Sequence, residues 1–162
     1  MKKWIACVLA ALLLTGCAAE ETFETVADEV VDELWQQPRE VLLQLPEEAA
    51  APASESEYGK LYQCDGYEIM VQILEAGDLD RTLTAVSGYD RDHLTLVETQ
   101  QGEFDRYDMV WACAGERGSR LGRGAVLDDG CYHYVLTVLG DANRAKEWES
   151  VWEELFASFD LA

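Results

Sequence analysis

Few residues in this sequence have types and spacing that could do chemistry. Of the five cysteines, Cys64, Cys113 and Cys131 lie in the body of the chain, an odd number that leaves a monomer at least one thiol. If the strands between Arg106 and Leu139 form a plain meander, Cys113 falls opposite about Leu121 and Cys131 opposite about Leu127. The two then sit at opposite ends of a sheet, beyond the roughly 7 Å Cα separation that a disulfide spans. A Cys64–Cys131 bridge stays open, with buried thiols as the plainer expectation. No Cys-x-x-Cys or paired-His spacing is present, which argues against zinc. His133 stands two residues from Cys131 in an alternating run. Such a pair shares a strand face without making the hydrogen bond that an activated thiol needs. His93 follows Asp90-Arg91-Asp92 in a loop and offers at most a weak cation contact.

The acids and bases are no more specific. Asp128-Asp129-Gly130 lacks the spaced carboxylates of a calcium-binding loop and reads as a hairpin turn. Among 32 acidic residues a pair at glycosidase spacing can always be found, so its presence carries no weight. There is no G-x-S-x-G, phosphate loop or dinucleotide fingerprint. The glycine-rich stretch Gly115 to Gly124 lies between strands, not ahead of a helix. Arg117, Arg120 and Arg123 make a small basic spot on an acidic chain. Solvated strand edges account for it, and docking of an anionic ligand is the alternative. The sequence therefore predicts no catalytic residue, metal site or cofactor, and Arg117, Arg120 and Arg123 are its ligand-binding candidates.

The elements that would position these residues follow from periodicity. Arg39 to Pro46 alternates, with Val41, Leu43 and Leu45 on one face, and Glu47 to Glu57 reads as an exposed loop. Lys60–Cys64 and Tyr67–Glu75 are strands joined by Asp65-Gly66, a tight-hairpin signal, with Tyr67, Ile69, Val71 and Ile73 facing the core. Leu79, Leu83 and Val86 then change the period to helical, with Asp78 to cap the start and Gly88 to close the end. Leu94–Gln100, Arg106–Ala114, Arg120–Leu127 and Cys131–Leu139 form a predicted four-strand meander. A closing helix is expected over about Ala142–Ala157, with Asp141 or Asn143 near its cap. Trp148, Val151, Trp152, Leu155, Phe156 and Phe159 give it an apolar stripe suited to covering a sheet. The predicted fold is α+β: an antiparallel sheet of about six or seven strands with the amphipathic C-terminal helix and a shorter helix packed on it.

The N-terminus has a different logic. Lys2-Lys3 precedes an unbroken apolar run from Trp4 to Leu14, shorter than the about 20 residues that cross a bilayer. That order reads as a signal peptide. Its ending, Leu14-Thr15-Gly16-Cys17, resembles the lipobox of bacterial lipoproteins. The resemblance implies cleavage before Cys17 and lipidation of that residue, hence a lipid-anchored protein facing outside the cytoplasm. Residues 1–16 are then signal, 17–37 a lipidated cysteine with an acidic linker, and 38–162 the folded domain. Between Ala18 and Gln37 there are seven acids and no base, with a helical stripe of Phe23, Val26, Ala27, Val30, Val31 and Leu34. A juxtamembrane helix packed on the domain and a charged stalk are both compatible with it.

Composition narrows the partners. The formal charge is −20, and loss of Lys2 and Lys3 would make the remainder more acidic still. Phosphate backbones require clustered Lys and Arg, so nucleic acid is excluded as a partner class. Anionic headgroups would repel this surface, so attachment must come from acyl chains.

Four motifs carry a further resemblance: Gly77-Asp78-Leu79-Asp80, Leu127-Asp128-Asp129-Gly130, Tyr132-His133-Tyr134 and Phe156-Ala157-Ser158-Phe159. With the order strand, hairpin, helix, meander and aromatic helix, they resemble uncharacterised PsbP-like lipoproteins of anaerobic Gram-positive bacteria. The resemblance covers roughly Pro38 to Ala162. It implies an α/β/α sandwich and an accessory, protein-docking role rather than catalysis. The expected function is thus a membrane-tethered, non-catalytic binding or accessory protein with an unidentified protein partner. A small-ligand or cation-binding module is the alternative, and a hydrolase using Cys131 or His133 the remotest reading.

Overall fold

The computed structural model describes residues 37–162 apart from Glu116 and Arg117. The signal, Cys17, the acidic linker and Arg117 therefore lie outside the described residues. The sheet begins with the hairpin that Asp65-Gly66 encodes. Gly66, at φ +88°, supplies the left-handed turn between β3 (Gly59–Cys64) and β4 (Tyr67–Glu75), which pair from Cys64↔Tyr67 to Gly59↔Gln72. Helix α1 (Leu79–Ser87) follows. The Asp78 carboxylate accepts from the Asp80 amide at its start, and Gly88, at φ +80°, ends it in the left-handed conformation.

A meander comes next: β5 (Thr95–Gln101), β6 (Phe104–Gly115), β7 (Gly118–Asp128) and β8 (Tyr132–Asp141). It runs back across the molecule until β8 pairs with β4 in antiparallel register, Tyr67↔Gly140 through Glu75↔Tyr132. The chain between β4 and β5 must therefore cross the sheet, and α1 makes that crossing on one face. With β2 (Ser54–Ser56) at one edge, the resulting seven-stranded antiparallel sheet has the order β2-β3-β4-β8-β7-β6-β5.

Each face has its own core. Against one lies α2 (Ala145–Ser158), burying Trp148, Trp152, Leu155 and Phe156 on Ile69, Ala125, Leu127, Tyr134, Leu136 and Val138. Against the other lies α1, whose Leu83 packs with Tyr107, Met109, Trp111, Val126 and Val135. Alternation along each strand sends neighbouring residues to opposite cores, so β8 is buried nearly throughout, from His133 to Val138. Two glycines on β7 make room for large side chains on β6. A Cβ at Gly122 would lie 2.2 Å from the Trp111 ring, and one at Gly124 would lie 2.5 Å from Met109. The glycine-rich stretch between Gly115 and Gly124 thus serves packing on the α1 face.

Four expectations need correction. The stretch expected to be loop contains a 3-10 turn (Glu47–Ala49) and β2 (Ser54–Ser56), which pairs with β3. All three β2 residues are exposed and polar, so no apolar alternation announced it. The run from Arg39 to Pro46 forms only β1 (Val41–Leu42), paired with β9 (Asp160–Leu161) in a separate two-stranded sheet. Its stripe of Val41, Leu43 and Leu45 still packs on the α2 core. The closing helix starts at Ala145 after a 3-10 turn (Ala142–Arg144), and neither Asp141 nor Asn143 caps it through a side chain. Arg144 instead bridges Asp65 and Glu147 at 2.9 and 2.8 Å, tying the helix start to the β3–β4 turn.

The Cys64–Cys131 pairing also fails. Cys64 lies beside the start of β4, while Cys131 abuts its far end, where the Ala76 amide donates to the Cys131 carbonyl. The length of β4 separates them, about 27 Å at strand rise, against a disulfide limit of about 7 Å. Cys113 and Cys131 do fall at opposite ends of the sheet, with Cys113 facing Arg120.

Candidate functional site

The two described arginines of the predicted basic spot do not converge. Arg120 and Arg123 are three apart on one strand, and an odd spacing puts them on opposite faces. The Arg123 guanidinium lies 4.3 Å from the Phe156 ring centroid on the α2 face. On the other face Arg120 donates to the Leu139 carbonyl at 3.0 Å and pairs with Glu68 at 3.5 Å. It lines an open cavity of about 700 Å³ together with Cys64, Cys113, Glu68 and Asp141. Glu68 and Asp141 offset its charge, which makes this cavity a poor anion site. Cys64 and Cys113 reach it from β3 and β6, with three strands between them. Burial pushes the Cys64 thiol above its ordinary range, suppressing the thiolate a nucleophile requires.

His133 is a structural histidine here. It is 1 % exposed, its Nδ1 lies 2.8 Å from Thr82 Oγ1 on α1, and its Nε2 faces Asp128 Oδ2 at 3.4 Å. Both ring nitrogens are engaged in holding α1 to β7 and β8, so neither is left to activate Cys131. The Asp128-Asp129-Gly130 turn likewise satisfies itself. Asp128 Oδ1 accepts from the Gly130 amide, and Asp129 Oδ1 accepts from the amides of Cys131 and Tyr132. Asp129 Oδ2 accepts from the Tyr134 hydroxyl, which in turn accepts from the Arg39 amide. Burial and the adjacent Asp129 push the Tyr134 hydroxyl up to about 12. Among the described residues no group of three or more His, Cys, Asp or Glu side chains could hold a metal ion.

The feature that stands apart is a groove of about 580 Å³ on the α2 face. Helix α2 covers β8, β7 and β4, but its stripe does not extend over β5 and the outer part of β6. Val97 and Val110 are consequently 55 % and 40 % exposed, diagonal to each other on neighbouring strands, with Val97 opposite Asp108 and Val110 opposite Thr95. Trp148 and Trp152, stacked at 3.9 Å between ring centroids, form the helix wall. Both indole Nε1 atoms are buried with no acceptor among the described residues. Lys146, Glu149 and Glu153 stand on the rim. The groove therefore combines an apolar strip, an aromatic wall and a charged rim, features that suit binding.

Sequence reasoning had no argument for this groove. Its one legible signal was Val97, an apolar residue one position out of phase with Leu96 in an otherwise polar strand.

The sheet and its two helices define an α+β domain with a groove on the α2 face. Neither a protein-family model nor a curated protein sequence matches the chain. Solved structures do resemble it. LpqN of Mycobacterium tuberculosis, described as involved in cell envelope biogenesis, has a TM-score of 0.53 at 11% identity, over 85% of this chain and 96% of that one. A Bacteroides thetaiotaomicron protein has a TM-score of 0.51 at 13% identity over 75% of this chain. This chain spans only 45% of that protein's length. The cyanobacterial PsbP of Synechocystis aligns at a TM-score of 0.48 and 13% identity, over 78% of this chain and 84% of that one. At such identities the likeness is one of fold.

Proposed function

We propose that this chain is a membrane-tethered, non-catalytic accessory protein that acts outside the cytoplasm by docking another protein. The observation that carries the reading is the uncovered strip of Val97 and Val110 beside the Trp148–Trp152 wall, since exposed apolar surface rimmed by charge suits protein contact. The lipobox-like Leu14-Thr15-Gly16-Cys17 supports the location. So does the fold shared with LpqN, which is described as an envelope biogenesis protein. Among the described residues no helix is long and apolar enough to cross a membrane; in this reading the anchor is an acylated Cys17.

Three experiments test the reading. Cys17→Ala should release the protein from membranes, and continued retention would sink the anchor. In-cell crosslinking of the lipidated protein should recover one recurrent partner above background; none would sink the docking role. Turnover by the purified protein, lost on mutating a single cavity residue, would overturn the non-catalytic assignment.

A further inference from the structure

We infer that β5 is a docking edge for an extended, basic segment of a partner protein, which joins the sheet as an added strand with its side chains against the groove. This deepens the accessory reading and rests on it. Strand β5 ends the sheet order, and among the described residues only β6 pairs with it. Its outer row of N–H and C=O groups is a template for one more strand. Proteins usually blunt such edges with short length, Lys or Pro. At the opposite edge β2 is blunted in this way, being three residues long and wholly polar. By contrast β5 runs seven residues, Thr-Leu-Val-Glu-Thr-Gln-Gln, with no Lys or Pro, and turns Val97 outward toward the groove.

Charge selects the occupant. Glu149 and Glu153 project from α2 at the groove rim, and neither has a basic partner among the described residues. Glu98 faces the other side of β5, opposite Tyr107, and holds Arg91 there at 3.6 Å, so the groove's own unpaired charge is that of α2. A second copy of this chain is a poor fit. Antiparallel self-pairing centred on Val97 sets Leu96 against Glu98, and centring on Glu98 sets like charges opposite each other. Two chains of net charge −20 also repel. A partner helix would need a broader apolar floor than two valines interrupted by Thr95 and Asp108. An extended segment needs apolar and basic residues in turn on its groove-facing positions, the apolar ones prolonging the valine strip and Lys or Arg reaching Glu149 and Glu153 on the same face.

The test uses the full-length protein in detergent micelles and a photoreactive octapeptide, Val-Thr-Lys-Thr-Val-Thr-Lys-Thr, whose Val and Lys side chains share one strand face. Saturable labelling confined to Thr95–Gln101 and the groove is expected. The same composition interrupted by a central Pro should label about tenfold less, because it cannot form the ladder. Val97→Lys, or Glu149→Lys combined with Glu153→Lys, should abolish labelling. All three positions are exposed, so folding is retained. Equal labelling by the Pro peptide, labelling spread over the acidic surface, or β5-to-β5 crosslinks between copies would each overturn the inference. A recurrent cellular partner touching only other surfaces would overturn it too and leave the accessory reading intact. Failure to find any recurrent partner would sink that reading itself.

Discussion

The two halves of the α2 face are built from the same sheet and meet different fates. Over β8, β7 and β4, helix α2 buries Trp148, Trp152, Leu155 and Phe156, and Tyr134 below them is fully enclosed. Over β5 and outer β6 the face is open, and Val97 and Val110 stand in solvent. The boundary is set by how α2 is pinned. Arg144 ties its start to Asp65 beside the β3–β4 turn, while Arg106 donates to the Phe156 carbonyl near its end. With both ends fixed, one 14-residue helix cannot shield seven strands. The difference teaches that apolar burial on this face is concentrated under α2, while Val97 and Val110 are left in solvent.

Four predictions would break or sharpen that contrast. Phe156→Ala should cost about 3–5 kcal/mol, because it empties the centre of the covered half and strips Arg123 of its aromatic partner. Urea unfolding would measure it, and a loss below about 1 kcal/mol would mean the helix is not the stabilising layer.

Tyr134 gives the second. Its pKa rises from 10.0 to about 12 on folding, so below pH 10 its stabilising contribution is complete. As pH climbs from 10 to about 12, the unfolded chain releases the proton first, and about 3 kcal/mol is lost. Tyr134→Phe should start less stable but show a shallower decline over that window in alkaline denaturation. An unchanged slope would place the alkaline sensitivity elsewhere.

Third, a Cβ at Gly140 would meet the Trp148 ring at 2.8 Å and Tyr67 Cβ at 3.0 Å. Gly140→Ala should therefore overpack the covered half and cost about 1–3 kcal/mol, read as a lowered Tm. The smallest effect belongs to the open half. Val97→Thr should change stability by less than about 0.5 kcal/mol while weakening capture of a partner. A large drop in Tm would show that the open half stabilises the fold after all.

Much of this architecture was legible in local pattern. The Asp65-Gly66 hairpin, the Asp78 and Gly88 ends of α1 and the aromatic stripe of α2 each rest on residues a few positions apart. The grouping of Arg120 with Arg123 as one basic spot was a misreading, since an odd spacing on a strand puts them on opposite faces. β2 was not legible, because Ser54, Glu55 and Ser56 carry no apolar signal, and an edge strand exposed on both faces needs none. Nor was the role of His133, whose partners Thr82 and Asp128 come from another helix and another strand.

By itself the sequence determined the acidic charge, the lipobox-like N-terminus, the element types and the apolar stripe of each. The tertiary structure alone decided that β8 returns to pair with β4, that β5 becomes an edge, and that α2 stops short of Val97 and Val110. The reason is physical: backbone periodicity fixes which side chains share a face over a few residues. Which strand lies next to which, and where a helix's cover runs out, depends on burial summed over contacts far apart in the chain.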